Sequence, residues 1–245
     1  MTFVIAHRGY SELYPENTML AFKKSAEYEA YGIELDVHLT KDEQVVICHD
    51  EKIDRTSNGT GYLKDLTLEE IQQFSFTNGL EIPEGTNHED ITAPTLDAFF
   101  EWLIETPLMV NIEIKNNIFV YPGIVDKTLA LIEKYSVEDR VIISSFNHHT
   151  IQEVKEKAPH IACGFLSDTA LLEPGNYCAH YGVEYYHPVF VSLTKEDFKN
   201  LADKGIKTNV WTVNEQEYLE MMVAQKVNAV ITNRVELANK VVAHA

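Results

Sequence analysis

The chain is 245 residues long, 45% apolar and 24% charged, an ordinary globular balance that excludes extensive disorder and fits one sizeable domain as well as two small ones. Its formal net charge of -18 argues against nucleic acid and anionic membrane as partners, because both are bound through basic patches. The same charge repels a phosphate ester in bulk, so an anionic substrate would need positive charge concentrated locally by a few basic side chains or a bound cation.

Short β-branched runs alternate with longer amphipathic ones. Phe3-Val4-Ile5-Ala6 reads as a strand and leads into His7-Arg8-Gly9. Asn17 or Thr18 can cap the helix that follows, and Gly32 can end it. Gly32-Ile33-Glu34-Leu35-Asp36-Val37 is the next strand, and Val45-Val46-Ile47-Cys48 the one after. The link between those two is too short for a parallel crossover, which needs about a dozen residues. Thr40-Lys41-Asp42-Glu43 looks like a hairpin turn instead, so one of the two segments should run antiparallel or extend beyond the wall of the sheet. Residues 51–94 break the alternation with the turn-rich run Thr56-Ser57-Asn58-Gly59-Thr60-Gly61, one capped helix start at Thr67, and a polar stretch carrying Pro83, Gly85 and Pro94. They read as an insertion between a strand and its helix, of the kind that lies at a catalytic face.

Later strand candidates are residues 108–114, 141–145, 161–166, 184–187, 207–213 and 227–232. Helices separate them. Ile124, Thr128, Leu131 and Ile132 form one apolar face, and Thr194 caps a helix that Gly205 ends. Asn214 and Glu217 are spaced as a capping pair. Such alternation predicts an α/β fold, a (β/α)8 TIM barrel with a small inserted subdomain after the third strand. The domain is expected to span 1–245, with 51–94 inserted in it, although nine strand candidates compete for eight places.

Functional residues of barrels gather at the C-terminal ends of strands. His7 and Arg8 at such an end suit proton transfer and anion binding, although a histidine there is often structural. Glu34 and Asp36 are two apart on a strand and share a face. Two adjacent buried carboxylates repel unless a cation holds them, and a hard divalent ion with oxygen ligands would do so. One carboxylate in solvent and the other paired with an arginine fits the same spacing. Glu113-Ile114-Lys115 repeats the geometry and offers a third acid with a lysine for a phosphate oxygen. His49-Asp50 supplies a second histidine, with an acid that can orient it, and two imidazoles near a metal form a credible acid-base pair.

His7-Arg8-Gly9, Pro15-Glu16-Asn17-Thr18, Glu34-Leu35-Asp36-Val37 and His49-Asp50 resemble the glycerophosphodiester phosphodiesterase family. So do Arg55-Thr56 with Gly59 and Gly61, Pro94-Thr95-Leu96, Glu113-Ile114-Lys115, Ser144-Ser145-Phe146 and Val210-Trp211-Thr212-Val213-Asn214. The resemblance implies a barrel that hydrolyses glycerophosphodiesters to glycerol 3-phosphate and an alcohol. It makes His7 and His49 the acid and base, and Glu34, Asp36 and Glu113 the ligands of one divalent ion, Mg2+ or Ca2+. It puts Arg8 and Lys115 on the phosphate, Trp211 in the pocket wall and Phe146 at the mouth. One departure is Thr232-Asn233-Arg234-Val235, where the family commonly has Thr-Asp-Arg-Pro; Asn233 can still cap the last helix, so little catalytic cost is expected.

Two rival readings share these residues. A phospholipase C- or D-like enzyme acting on intact lipids would need apolar or basic surface to reach a bilayer, which the acidic composition disfavours. A non-catalytic glycerophosphodiester-binding protein would not need both histidines and all three carboxylates. The remaining histidines, His38 and His187 among them, are expected on the surface or in packing. Cys48, Cys163 and Cys178 match no disulfide or metal spacing and suit a reducing compartment. With no recognisable signal peptide and no membrane-length apolar run, a cytoplasmic location without stable membrane association is expected. Oligomeric state is left open.

Overall fold

The computed structural model describes residues 1–244. In chain order its elements are β1 (Phe3–His7), α1 (Met19–Glu27), β2 (Gly32–Leu39), β3 (Val45–Ile47), α2 (Leu68–Ile71), α3 (Leu96–Leu103), β4 (Met109–Ile114), α4 (Ile124–Tyr135), β5 (Val141–Ser145), α5 (His148–Lys157), β6 (Ala162–Ser167), α6 (Pro174–His180), β7 (Tyr185–Pro188), α7 (Lys195–Asp203), β8 (Lys207–Val210), α8 (Gln216–Ala224), β9 (Ala229–Thr232) and α9 (Val235–Ala243). Eight strands pair in parallel in the order β1-β2-β4-β5-β6-β7-β8-β9 and close through β9 onto β1. This is the (β/α)8 barrel that the alternation predicts.

The surplus strand is β3. It runs antiparallel to the last residues of β2, with Val37 opposite Ile47 and Leu39 opposite Val45. Below that point β2 pairs with β1 through residues 32–34 and with β4 through residues 32–37. The tip of β2 therefore outruns the barrel wall, and β3 folds back along it. The turn brings His49 back toward the mouth, with the Cys48 amide donating to the Asp36 carbonyl at 3.0 Å.

Alternation on the strands divides the chain's chemistry. Ile33, Leu35, Val37, Val110, Ile112, Ile114, Val141 and Ile143 point outward into one apolar core with Phe99, Phe100, Leu103, Ile132, Ile151 and Val154 of the helices. Burying each such side chain contributes on the order of 2 kcal/mol. The intervening residues Glu34, Asp36, Asn111 and Glu113 point inward. Residues between β3 and α3 carry a cluster of their own, in which Ile53, Leu63, Ile71 and Phe76 pack with Val46 and Cys48.

Local signals are partly revised. Thr18 caps α1, its side chain accepting from the Ala21 amide, but α1 stops at Glu27 and Gly32 opens β2. Thr194 caps α7 in a reciprocal box with Asp197. Asn214 does not cap α8; that position is Glu215, and the Asn214 side chain instead accepts from the Asn233 amide at 2.9 Å. Arg234, not Asn233, is the cap residue of α9.

Candidate active site

The inward carboxylates of β2 and β4 meet at the C-terminal end of the barrel. Glu34, Asp36 and Glu113 are buried and each presents an oxygen within 4.8 Å of the others. The register explains this, because Asp36 lies opposite Glu113 across the β2–β4 pair. The solvent-facing alternative for Glu34 or Asp36 does not occur, since they are 4% and 1% exposed. Lys115 donates to Glu113 Oε1 at 2.8 Å and lies 3.4 Å from Asp36 Oδ1. Arg8 reaches Asp36 Oδ2 at 3.5 Å and donates to Glu16 at 2.8 Å, while its backbone amide donates to Glu34 at 3.0 Å.

Two cations do not balance three buried acids evenly. Burial pushes the Glu34 carboxyl well above the usual carboxylate range, and Asp36 and Glu113 push it further. Burial raises Glu113 as well, against the pull of Lys115. Burial also opposes ionisation of Asp36, but Lys115 and Arg8 outweigh it and hold that carboxyl below its ordinary range. Asp36 Oδ1 has no hydrogen-bond donor among the described residues. An all-oxygen set with an unsatisfied lone pair and surplus negative charge fits a hard divalent cation.

His7 and His49 line one cavity of about 60 Å3 with Arg8, Glu34, Asn111, Glu113, Lys115, Phe146, Leu166, Trp211 and Ile231. Each histidine leans on a different partner. His49 Nδ1 lies 2.6 Å from Asp50, whose carboxyl is held below its usual range by the His49 hydrogen bond and by Arg55. His7 Nδ1 lies 2.7 Å from Asn233 Oδ1, and the Ser11 hydroxyl sits between that oxygen and the His7 carbonyl. Burial, then Arg8, lowers His7 to about 4. Phe146 and Trp211 meet edge to face at 5.5 Å, and the Trp211 indole donates to the His187 carbonyl at 2.7 Å. A second opening of about 300 Å3 shares His49, Lys115 and Phe146 and leads outward past Glu51, Asn117, Ile118 and Asp168.

Backbone shape at this end is constrained by Gly9. Its φ is +80, and a Cβ there would come 2.7 Å from Ala21 Cβ and 2.8 Å from the Ala21 carbonyl carbon.

A family model described as the glycerophosphoryl diester phosphodiesterase family matches residues 7–237. The chain belongs to the glycerophosphoryl diester phosphodiesterase family. A glycerophosphodiester phosphodiesterase of Caldanaerobacter subterraneus subsp. tengcongensis is 44% identical over 232 residues, 95% of this chain and 94% of its own length. A crystal structure of a glycerophosphodiester phosphodiesterase from Thermotoga maritima superposes with a TM-score of 0.77 at 29% identity, covering 98% of each chain. A phosphodiesterase of Oleispira antarctica, solved with the product sn-glycerol-3-phosphate, shares the fold at TM-score 0.88 and 22% identity, over 99% of this chain and 97% of that one. As a member of this phosphodiesterase family, the chain is an enzyme that acts on glycerophosphodiesters.

All nine residues singled out for this phosphodiesterase site lie on the one cavity or its ion pairs. Several others at the site have no role in the sequence reading, Arg55 and Asn17 among the family-like motifs and His38 among the packing histidines. Arg55 bridges Asp50 and Glu16, at 2.6 Å and 2.8 Å, and so joins the His49 side to Arg8. Asn17 donates to Asp36 Oδ2 at 2.8 Å. His38 is fully buried, with Nε2 3.1 Å from the His49 carbonyl and Nδ1 3.2 Å from the Tyr121 hydroxyl. Asn233, in sequence a helix-cap candidate with little bearing on the site, contacts His7. No spacing rule links positions 7 and 233, which meet only because β9 lies beside β1.

Proposed function

We propose that the chain hydrolyses glycerophosphodiesters to glycerol 3-phosphate and an alcohol. The reading includes one divalent cation, Mg2+ or Ca2+, and an acid-base pair formed by His7 and His49. One observation carries it: three buried carboxylates converge, and two of them, Glu34 and Glu113, line the cavity that both imidazoles share. Glu34, Asp36 and Glu113 would hold the cation, which when bound supplies Lewis acidity to a phosphoryl oxygen and a neighbouring hydroxyl.

The protein's own groups do the rest. Arg8 and Lys115 stand beside those acids and stabilise charge on the phosphoryl oxygens. Trp211 and Phe146 wall the cavity and exclude water. The Asn233 oxygen accepts from His7 Nδ1–H, which leaves Nε2 with a lone pair. His7 is thus set to take the proton of the attacking hydroxyl. His49 Nδ1 is held at 2.6 Å by the Asp50 carboxylate, which leaves its Nε2 edge for the substrate, and His49 alone of the two lines the outward opening through which an alcohol can leave. It therefore protonates the leaving oxygen. Attack by the adjacent glycerol hydroxyl gives a cyclic phosphate, which water opens with the two roles exchanged.

The catalytic unit is read as one domain over 1–245, with 51–94 inserted in it. The apolar cluster of that segment and the reach of Arg55 back to Glu16 support this. The test is product analysis with sn-glycero-3-phosphocholine. Wild type should release choline and glycerol 3-phosphate, while His7→Ala and His49→Ala, folded by circular dichroism, should each lose at least about 100-fold in kcat. Near wild-type turnover in either variant removes that histidine from the pair.

A further inference from the structure

The floor of the active-site cavity is formed by Asn111. It points inward from β4, opposite Glu34 in the register and two residues before Glu113. The residue is 2% exposed, yet neither its amide nitrogen nor its amide oxygen has a hydrogen-bond partner among the described residues. It lines both the active-site cavity and a second cavity of about 60 Å3 that reaches toward the other end of the barrel. A buried amide with both its donor and its acceptor unpaired is costly unless a ligand completes it.

The chemistry of that ligand follows from the walls. The positive charge that a phosphate needs lies with Arg8, Lys115 and the cation that the three acids would hold, whereas Asn111 is paired with neither Arg8 nor Lys115. A hydrocarbon end would leave the amide unpaired. A neutral hydroxyl both donates and accepts, as the amide does. We propose that Asn111 is a specificity-determining residue that binds the hydroxyl on the glycerol carbon farthest from the phosphate. The enzyme would then accept phosphodiesters of glycerol and reject those of a diol ending in a methyl group. This deepens the reading above and rests on it for the orientation of the substrate.

The experiment compares sn-glycero-3-phosphocholine with 2-hydroxypropyl phosphocholine, which keeps the hydroxyl next to the phosphate-bearing carbon and replaces the terminal CH2OH by CH3. In parallel, calorimetry compares binding of glycerol 3-phosphate and 2-hydroxypropyl phosphate. Wild type should prefer the glycerol member at least about 10-fold in kcat/KM and in Kd, because the analogue leaves the amide unpaired. Asn111→Leu should reduce both preferences to below about 3-fold, mainly by weakening the glycerol member, and Asn111→Ser, which keeps a hydroxyl, should fall between. Equal handling of the two ligands by wild type overturns the proposal, as does an undiminished preference in Asn111→Leu. Asn111→Ser and Asn111→Ala decide the matter by the same comparison if the leucine variant does not fold. Should wild type hydrolyse neither ester, the phosphodiesterase reading of this site fails, and the two binding constants still decide the role of Asn111.

Discussion

At the scale of single residues, the site distinguishes two imidazoles that look alike in sequence. His49 has an ionised carboxylate at 2.6 Å, and His7 a neutral amide at 2.7 Å. On the proposed mechanism, that difference, together with the outward opening beside His49, gives the leaving-group proton to His49. From a p-nitrophenyl ester of glycerol phosphate, p-nitrophenolate leaves without protonation. His49→Ala should therefore recover to within about 10-fold of wild type on that substrate, while His7→Ala stays impaired by at least about 100-fold. Equal rescue of the two variants in a kcat comparison would contradict the assignment. Asn233 shows why this was not legible in the chain. Read locally, it is a polar residue ahead of a helix; its contact with His7 spans 226 positions and exists only once the barrel closes.

At the scale of elements, strand periodicity conveyed most of the site. Glu34 with Asp36, and Glu113 with Lys115, are spaced two apart, and that spacing alone puts each pair on one face. The β2–β4 register then brings the pairs together. The link between residues 36 and 45 was readable as a hairpin, but which strand left the barrel was not, because both segments carry the β-branched residues of a strand. Pairing decides it: β2 has partners on both sides within the wall, and β3 pairs with β2. The loop after β1 depends on Gly9, whose missing Cβ lets it lie against α1. Gly9→Ala should cost about 1–3 kcal/mol, through the positive φ and the displaced backbone of Ala21. Thermal unfolding reads the loss directly, and a wild-type Tm would mean that the close approach carries no strain.

For the whole molecule, the -18 charge sets the terms. The cationic groups that matter are drawn into the barrel mouth, where Arg8, Lys115 and Arg55 are each tied to carboxylates. Among the described residues no helix is long and apolar enough to cross a membrane. The barrel class was legible because alternation and chain length both demanded it. The ion-pair chain from His49 through Asp50, Arg55 and Glu16 to Arg8 was not, because it joins the segment 51–94 to the loop after β1.

The same crowding of acids links stability to pH. A carboxyl raised on folding favours the protonated native state. The stability Glu34 contributes is present below its unfolded value and is lost as pH climbs through the raised folded one. Without divalent cation, Glu34→Gln should therefore gain in Tm relative to wild type as pH rises from about 5 to about 8. Added Mg2+ or Ca2+ should reverse that order at the higher pH by stabilising wild type. A pH-independent difference between the two proteins, with equal response to cation, would contradict this electrostatic picture.

The measurement closest to the central claim is a cation titration of chelator-treated protein, followed in one preparation by calorimetry and by release of glycerol 3-phosphate from sn-glycero-3-phosphocholine. One cation should bind per chain, turnover should rise in proportion to occupancy, and Asp36→Asn should lose both. Full turnover from the chelated protein, or ordinary cation binding by Asp36→Asn, would contradict the account.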